Sequence, residues 1–122
     1  MVESALIITD KSPVGKNSAV EAIRIGSGFV ALGEYIECKV VFTGDAVYLL
    51  SKDASPEVVG MDNLEEVFEM ADLSDLELYI LDSALANAGL SKDDLIEYEN
   101  LNIISVDDLV DLIDTADICF RF

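Results

Sequence analysis

Short aliphatic or β-branched runs alternate with helix-forming stretches from one end of this chain to the other, and that alternation limits its fold more than any other feature. Ala5–Thr9, Tyr35–Phe42, Leu78–Leu81, Asn102–Ile104 and Ile118–Phe122 read as strands, and the first is apolar enough to be buried on both faces. Ala19–Leu32, Leu64–Ala71, Ser83–Asn87 and Val106–Thr115 read as helices, with shorter helical segments expected at residues 46–50 and at Asp94–Tyr98. Parallel strands need a crossover between them, and a helix supplies one. The expected fold is therefore α/β, a three-layer sandwich with about five mostly parallel strands and helices on both faces.

In such a sheet the carboxyl ends of the strands lie on one edge, where binding sites gather. Three junctions reach that edge: Thr9-Asp10-Lys11-Ser12-Pro13, Thr43-Gly44-Asp45 and Asp82-Ser83-Ala84. Thr9, Asp10, Gly44, Asp45, Asp82 and Ser83 are thus the candidate ligand-binding residues. Asp82 and Ser83 also have a structural reading, as caps of the helix that follows. Asn17 or Ser18, Asn63 and Ser105 are candidate caps elsewhere, and Gly26 and Gly28 suggest a helix that passes close to another backbone.

The length, 122 residues, suits one domain spanning 1–122. The apolar fraction is 52%, high enough to suggest that some surface is buried between subunits. Charge is uneven. Residues 1–52 carry six acids and five bases, a net of −1, whereas residues 53–122 carry nineteen acids against Lys92 and Arg121, a net of −17, giving the chain's −18. Such a surface repels phosphate backbones and anionic lipid, so neither nucleic acid nor membrane is an expected partner. A basic protein docking on the acidic C-terminal half is the sharper alternative to a merely solvated face. No apolar run approaches the ~20 residues that span a bilayer, and no secretory leader is legible, so the expected location is cytoplasmic.

Cys38 and Cys119 are too few for a disulfide framework, and both sit in apolar runs where cysteine packs as a small hydrophobe. With no histidine in the chain, a His/Cys zinc site and a histidine-based triad are excluded. Gly15-Lys16-Asn17 lacks the early glycine and the Ser or Thr of a phosphate loop. Asp10 and Asp82 resemble the acidic pocket of phosphoacceptor receiver domains, but no lysine follows Lys92. The adjacent acids Glu65-Glu66, Asp93-Asp94 and Asp107-Asp108 diverge around a helix and make poor metal clamps. No cofactor or metal is indicated.

The chain resembles the DsrE/DsrF/DsrH sulfur-relay family, most of all its DsrF (TusC-type) subunits. Ala116-Asp117-Ile118-Cys119-Phe120-Arg121-Phe122 matches a family ending of the form D-x-x-x-R-F. Gly44-Asp45-Ala46-Val47-Tyr48-Leu49-Leu50 is similar to the family's segment after the second strand, and Leu78–Leu90 to its strand, small-residue helix and glycine. The resemblance implies a small α/β subunit assembling with like or paralogous subunits into homo- or heteromeric trimers or hexamers. It also implies that active members carry a persulfide-bearing cysteine at the end of the third strand. The matching position here is Leu81, followed by Asp82 and Ser83, none of which can hold sulfur. The expected function is a subunit that acts through assembly. The alternatives are a persulfide carrier using Cys119 or Cys38, and a small-ligand or effector module at the strand carboxyl edge.

Overall fold

The structure is a computed structural model, and it describes residues 4–10, 18–31, 37–51, 64–73, 76–96 and 98–121. Strand β1 (Ser4–Thr9) is followed by helix α1 (Ser18–Ala31) and strand β2 (Glu37–Phe42). A 3₁₀ segment at Gly44–Leu50 comes next, then α2 (Leu64–Leu73), β3 (Glu77–Leu81) and α3 (Asp82–Asn87). One 3₁₀ turn, Lys92–Asp94, precedes β4 (Leu101–Ile104), α4 (Val106–Thr115) and β5 (Ile118–Arg121). The strands form one sheet in the order β4-β3-β2-β1-β5, with every ladder parallel.

Side chains alternate across a strand, so the register assigns the faces. Ala5, Ile7, Cys38, Val40, Phe42, Leu78 and Ile80 share one face and form the main core, with Leu101, Ile118 and Phe120 against it. Helix α1 lies on this side, where Gly26 faces Val40 and Leu76. Each fully buried large side chain here, such as Phe42 or Ile80, contributes roughly 1.5–3 kcal/mol of transfer free energy. On the opposite face Leu6 and Val41 are buried, and α4 reaches it, since Leu112 lines a small hollow together with Leu6 and Lys39. Helices therefore cover both faces, as expected, but the second face has only α4 assigned to it among the described elements.

Two local expectations are corrected. The described residues of Asp94–Tyr98 do not form the expected helix: after the 3₁₀ turn, Leu95 bridges Ser51 in antiparallel fashion and the Ile96 N–H donates to the Leu50 carbonyl at 2.9 Å. The backbone at Leu95 is extended, so this stretch pairs with the 44–51 segment instead of coiling. The Tyr98 hydroxyl then donates to the Leu76 carbonyl at 2.7 Å, tying this stretch to the start of β3. The glycine expectation holds only for Gly26, and there the close neighbours are side chains; nothing lies within 4 Å of a Cβ on Gly28. Ser105 does cap α4, accepting the Asp108 N–H at 3.2 Å while the Asp108 carboxylate accepts the Ser105 N–H at 3.2 Å. Lys11-Ser12-Pro13, Asn17, Tyr35-Ile36, Asn63 and Phe122 lie outside the described residues.

Candidate functional site

The parallel register sets Thr9 level with Phe42, and Phe42 level with Ile80, so β1, β2 and β3 end along one edge. The first two junctions touch there. The Thr43 N–H donates to the Thr9 carbonyl at 3.0 Å, which continues the sheet one residue beyond the strand. Gly44 follows with φ +53°, and a Cβ on it would stand 3.1 Å from the Asp10 carbonyl oxygen. Only glycine meets both demands without strain. Asp10 itself accepts from the Arg121 guanidinium, so the end of β1 is joined to the end of β5 by an ion pair. Thr9 is fully buried, and its hydroxyl has no hydrogen-bond partner among the described residues.

The second and third junctions share a cavity of about 300 Å³, lined by Thr43, Gly44, Asp45, Leu81, Ser83, Ala84, Asn87 and Ala88. Gly44, Asp45 and Ser83 therefore come together as expected. Thr9, Asp10 and Asp82 do not line it. Thr9 and Asp10 belong to the β1 end, and Asp82 is exposed, with its carboxylate accepting the N–H of Ser83 at 2.6 Å. The capping role expected of Asp82 and Ser83 is also corrected. Helix α3 begins one residue earlier, with Leu81 at the N-cap position and no side-chain cap bond, so both polar residues fall in its first turn. Asn87 and Ala88 were not legible as lining residues. Their signal is helical spacing, since Asn87 and Ala88 stand four residues after Ser83 and Ala84.

The cavity offers hydroxyls from Thr43 and Ser83, the Asn87 amide and the Asp45 carboxylate around an apolar wall of Leu81, Ala84 and Ala88. Its described lining has no cation, so it suits hydrogen-bonding or cationic groups better than phosphates. It stands at the small end of the size range of ligand sites. No trio of Cys, Asp or Glu among the described residues is arranged to hold a metal ion. A larger hollow, about 750 Å³, lies beside the outer strand β4 rather than at this edge.

Neither thiol is near the cavity. Cys38 pairs with Ala5 and Cys119 is level with Leu6, both toward the amino ends of the strands. Cys38 packs in the core at 4% exposure, and burial pushes its thiol up to about 11. Cys119 departs from the expectation of burial and is exposed. Strand β5 is outermost in the sheet, and Cys119 points to the less covered face, so an apolar run here does not bury every member. Leu81, at 8% exposure, holds the strand-end position beside the cavity.

No helix among the described residues is long and apolar enough to cross a membrane. No curated protein sequence matches the chain. Among solved structures, the crystal structure of the ychN protein from E. coli superposes with a TM-score of 0.81 at 17% identity, covering 98% of this chain and 99% of that one. The structure of MTH1491 from Methanobacterium thermoautotrophicum, a protein of unknown function, superposes with a TM-score of 0.65 at 17% identity, covering 100% of both. These likenesses carry the fold. The sequence matches the pattern of one family over residues 3–122, nearly its whole length. The chain belongs to the DsrE/DsrF-like family.

Proposed function

We propose that this protein is a DsrF/TusC-like subunit of a sulfur-relay oligomer, one that contributes by assembling with like or paralogous subunits and does not itself carry sulfur. Membership in the DsrE/DsrF-like family supports a sulfur-relay-related role. The observation that carries the finer reading is the strand-end position beside the cavity, where the side chain is Leu81. Sulfur transfer needs an accessible thiolate. The chain's two thiols lie elsewhere, one in the core and one on an outer strand. Exposed apolar side chains at Ile103, Val106, Val110 and Ile113 favour a role in association.

Light scattering coupled to size exclusion tests this, with the protein alone and co-expressed with a cysteine-bearing DsrE-type paralogue. A trimer, a hexamer or a stoichiometric mixed complex is expected. A monomer that captures no such paralogue would refute the reading. The exposure of Cys119 favours one alternative, a persulfide carrier acting through that residue. Mass spectrometry after treatment with a sulfur donor separates the two, because a stable persulfide on Cys119 that passes to an acceptor would establish the alternative.

A further inference from the structure

Helix α4 is apolar over a wider arc than the sheet uses. Leu109 and Leu112 are half-buried, whereas Val106, Val110 and Ile113 are 52%, 49% and 42% exposed. At four- and three-residue spacing these last three form one stripe. Leu112 and Thr115 border the hollow that also contains Leu6, Glu37 and Lys39, so that flank of the helix looks toward β1 and β2. The stripe occupies the other flank, toward β5, where Cys119 is exposed on the same side of the sheet. Asp107, Asp111 and Asp114 continue round the helix from the stripe on its solvent side, and all three are exposed.

We infer that this stripe is a docking surface for a different protein chain, presenting an amphipathic segment whose apolar row is flanked by lysine or arginine. The inference rests on the subunit reading and names the chemistry of the partner. Charge complementarity selects it over a second copy. Residues 101–122 hold five acids and a single base, Arg121, which is already paired with Asp10. A symmetric contact that set Asp107, Asp111 and Asp114 against their own equivalents would bring like charges together, and the nearby cations Lys39 and Arg121 already face Glu77 and Asp10. A basic flank on the partner meets each acid with its opposite while the three apolar side chains leave water together.

Cys119 provides the reporter, because Cys38 is buried and escapes labelling in the native protein. The protein, carrying an environment-sensitive fluorophore on Cys119, is titrated with a synthetic helical peptide bearing a leucine row flanked by lysines, and with the same row flanked by glutamates. Calorimetry on the unlabelled protein repeats the lysine titration. Saturable binding of the lysine peptide alone is expected, weakening as salt rises. The double variant Val110→Ser/Ile113→Ser should bind about tenfold more weakly, while Leu73→Ser, at an exposed apolar site on α2, should bind as the parent does. Both variants change exposed positions, and circular dichroism checks their folding.

Equal binding of the two peptides, or undiminished binding by Val110→Ser/Ile113→Ser, would overturn the inference. So would an unliganded oligomer that shields Cys119, tightens with salt and falls apart on the same double substitution, since a second copy would then cover the stripe. If a complex with the DsrE-type paralogue forms but ignores Val110→Ser/Ile113→Ser, the subunit reading stands and this one fails. If the chain stays a monomer and no complex forms, the subunit reading fails as well.

Discussion

Two glycines in one helix should respond in opposite directions to the same substitution. Gly26→Ala and Gly28→Ala each add a methyl group to α1 and each relieve the helix of a glycine, which is worth about 0.8–1 kcal/mol in a helix interior. At Gly28 the new methyl meets nothing within 4 Å, so most of that gain should appear as stability. At Gly26 it would stand 3.0 Å from Val40 Cγ2, 3.2 Å from Leu76 Cδ2 and 3.3 Å from Leu76 Cδ1. Val40 is stiff at χ1 and fully buried in the middle of the sheet, and Leu76 is also fully buried, so neither can swing into solvent. Overpacking of this kind costs about 1–3 kcal/mol, which offsets or exceeds the helix term. The expected result is Gly26→Ala neutral to about 2 kcal/mol less stable, and Gly28→Ala about 0.5–1 kcal/mol more stable. Urea denaturation at one protein concentration, followed by circular dichroism, measures both; holding concentration fixed removes any contribution from association. A Gly26→Ala protein as stable as Gly28→Ala would refute the claim that α1 seats on Val40 through Gly26.

Four further outcomes follow from the geometry. A thiol reagent should modify Cys119 in the native protein and reach Cys38 only on unfolding, because Cys38 is buried and, at about pH 8, on the order of one in a thousand is ionised. The same raised thiol links stability to pH. Below pH 9.0 both states keep the proton, and above it the unfolded chain ionises first, so stability should fall by up to about 2 kcal/mol as pH rises toward 11. That part of the loss should be absent from Cys38→Ala in parallel denaturation series. Ser105→Ala should cost about 1 kcal/mol in the same assay by opening the capping box of α4. Tyr98→Phe should cost about 1 kcal/mol through loss of the bond to the Leu76 carbonyl.

Strand and helix order was legible because burial and periodicity coincide in this chain. The runs Ala-Leu-Ile-Ile-Thr and Leu-Tyr-Ile-Leu form inner strands, and inner parallel strands read as near-continuous apolar segments. Ser105 with Asp108 announced its helix start in the same direct way. What escaped depended on contacts distant in sequence. Leu95 and Ile96 carry a helix-compatible sequence, but Leu95 bridges Ser51 and the Ile96 N–H donates to the Leu50 carbonyl. Asp82 and Ser83 are good capping residues, yet the chain turns into α3 already at Leu81. Cys119 sits in an apolar run, and only the strand order reveals that the run is outermost. Of the six candidate site residues, the three that share the cavity follow the neighbouring strands β2 and β3. Thr9 bonds through its carbonyl to Thr43 without lining the cavity, and Asp10 is drawn toward β5 by Arg121, a pairing that spans 111 residues of sequence.

The distribution of thiols and carboxylates points in one direction. A persulfide carrier gains from a thiol at a strand end, where the sulfur is reachable and positive surroundings ease its ionisation. Here the strand end presents Leu81, with the Asp45 carboxylate in the same cavity lining and Asp82 next in sequence, and their negative charge would oppose a thiolate at that place. The only cation joined to this edge in the described structure, Arg121, is held by Asp10 on the far side of β1. A cysteine placed at Leu81 would therefore lack the positive surroundings that favour a thiolate. Meanwhile the α4 stripe, apolar and flanked by Asp107, Asp111 and Asp114, is left open on the less covered face of the sheet. The exposed apolar stripe of α4 and its acidic flank lie on the exterior rather than in the cavity, in keeping with the role in assembly proposed above.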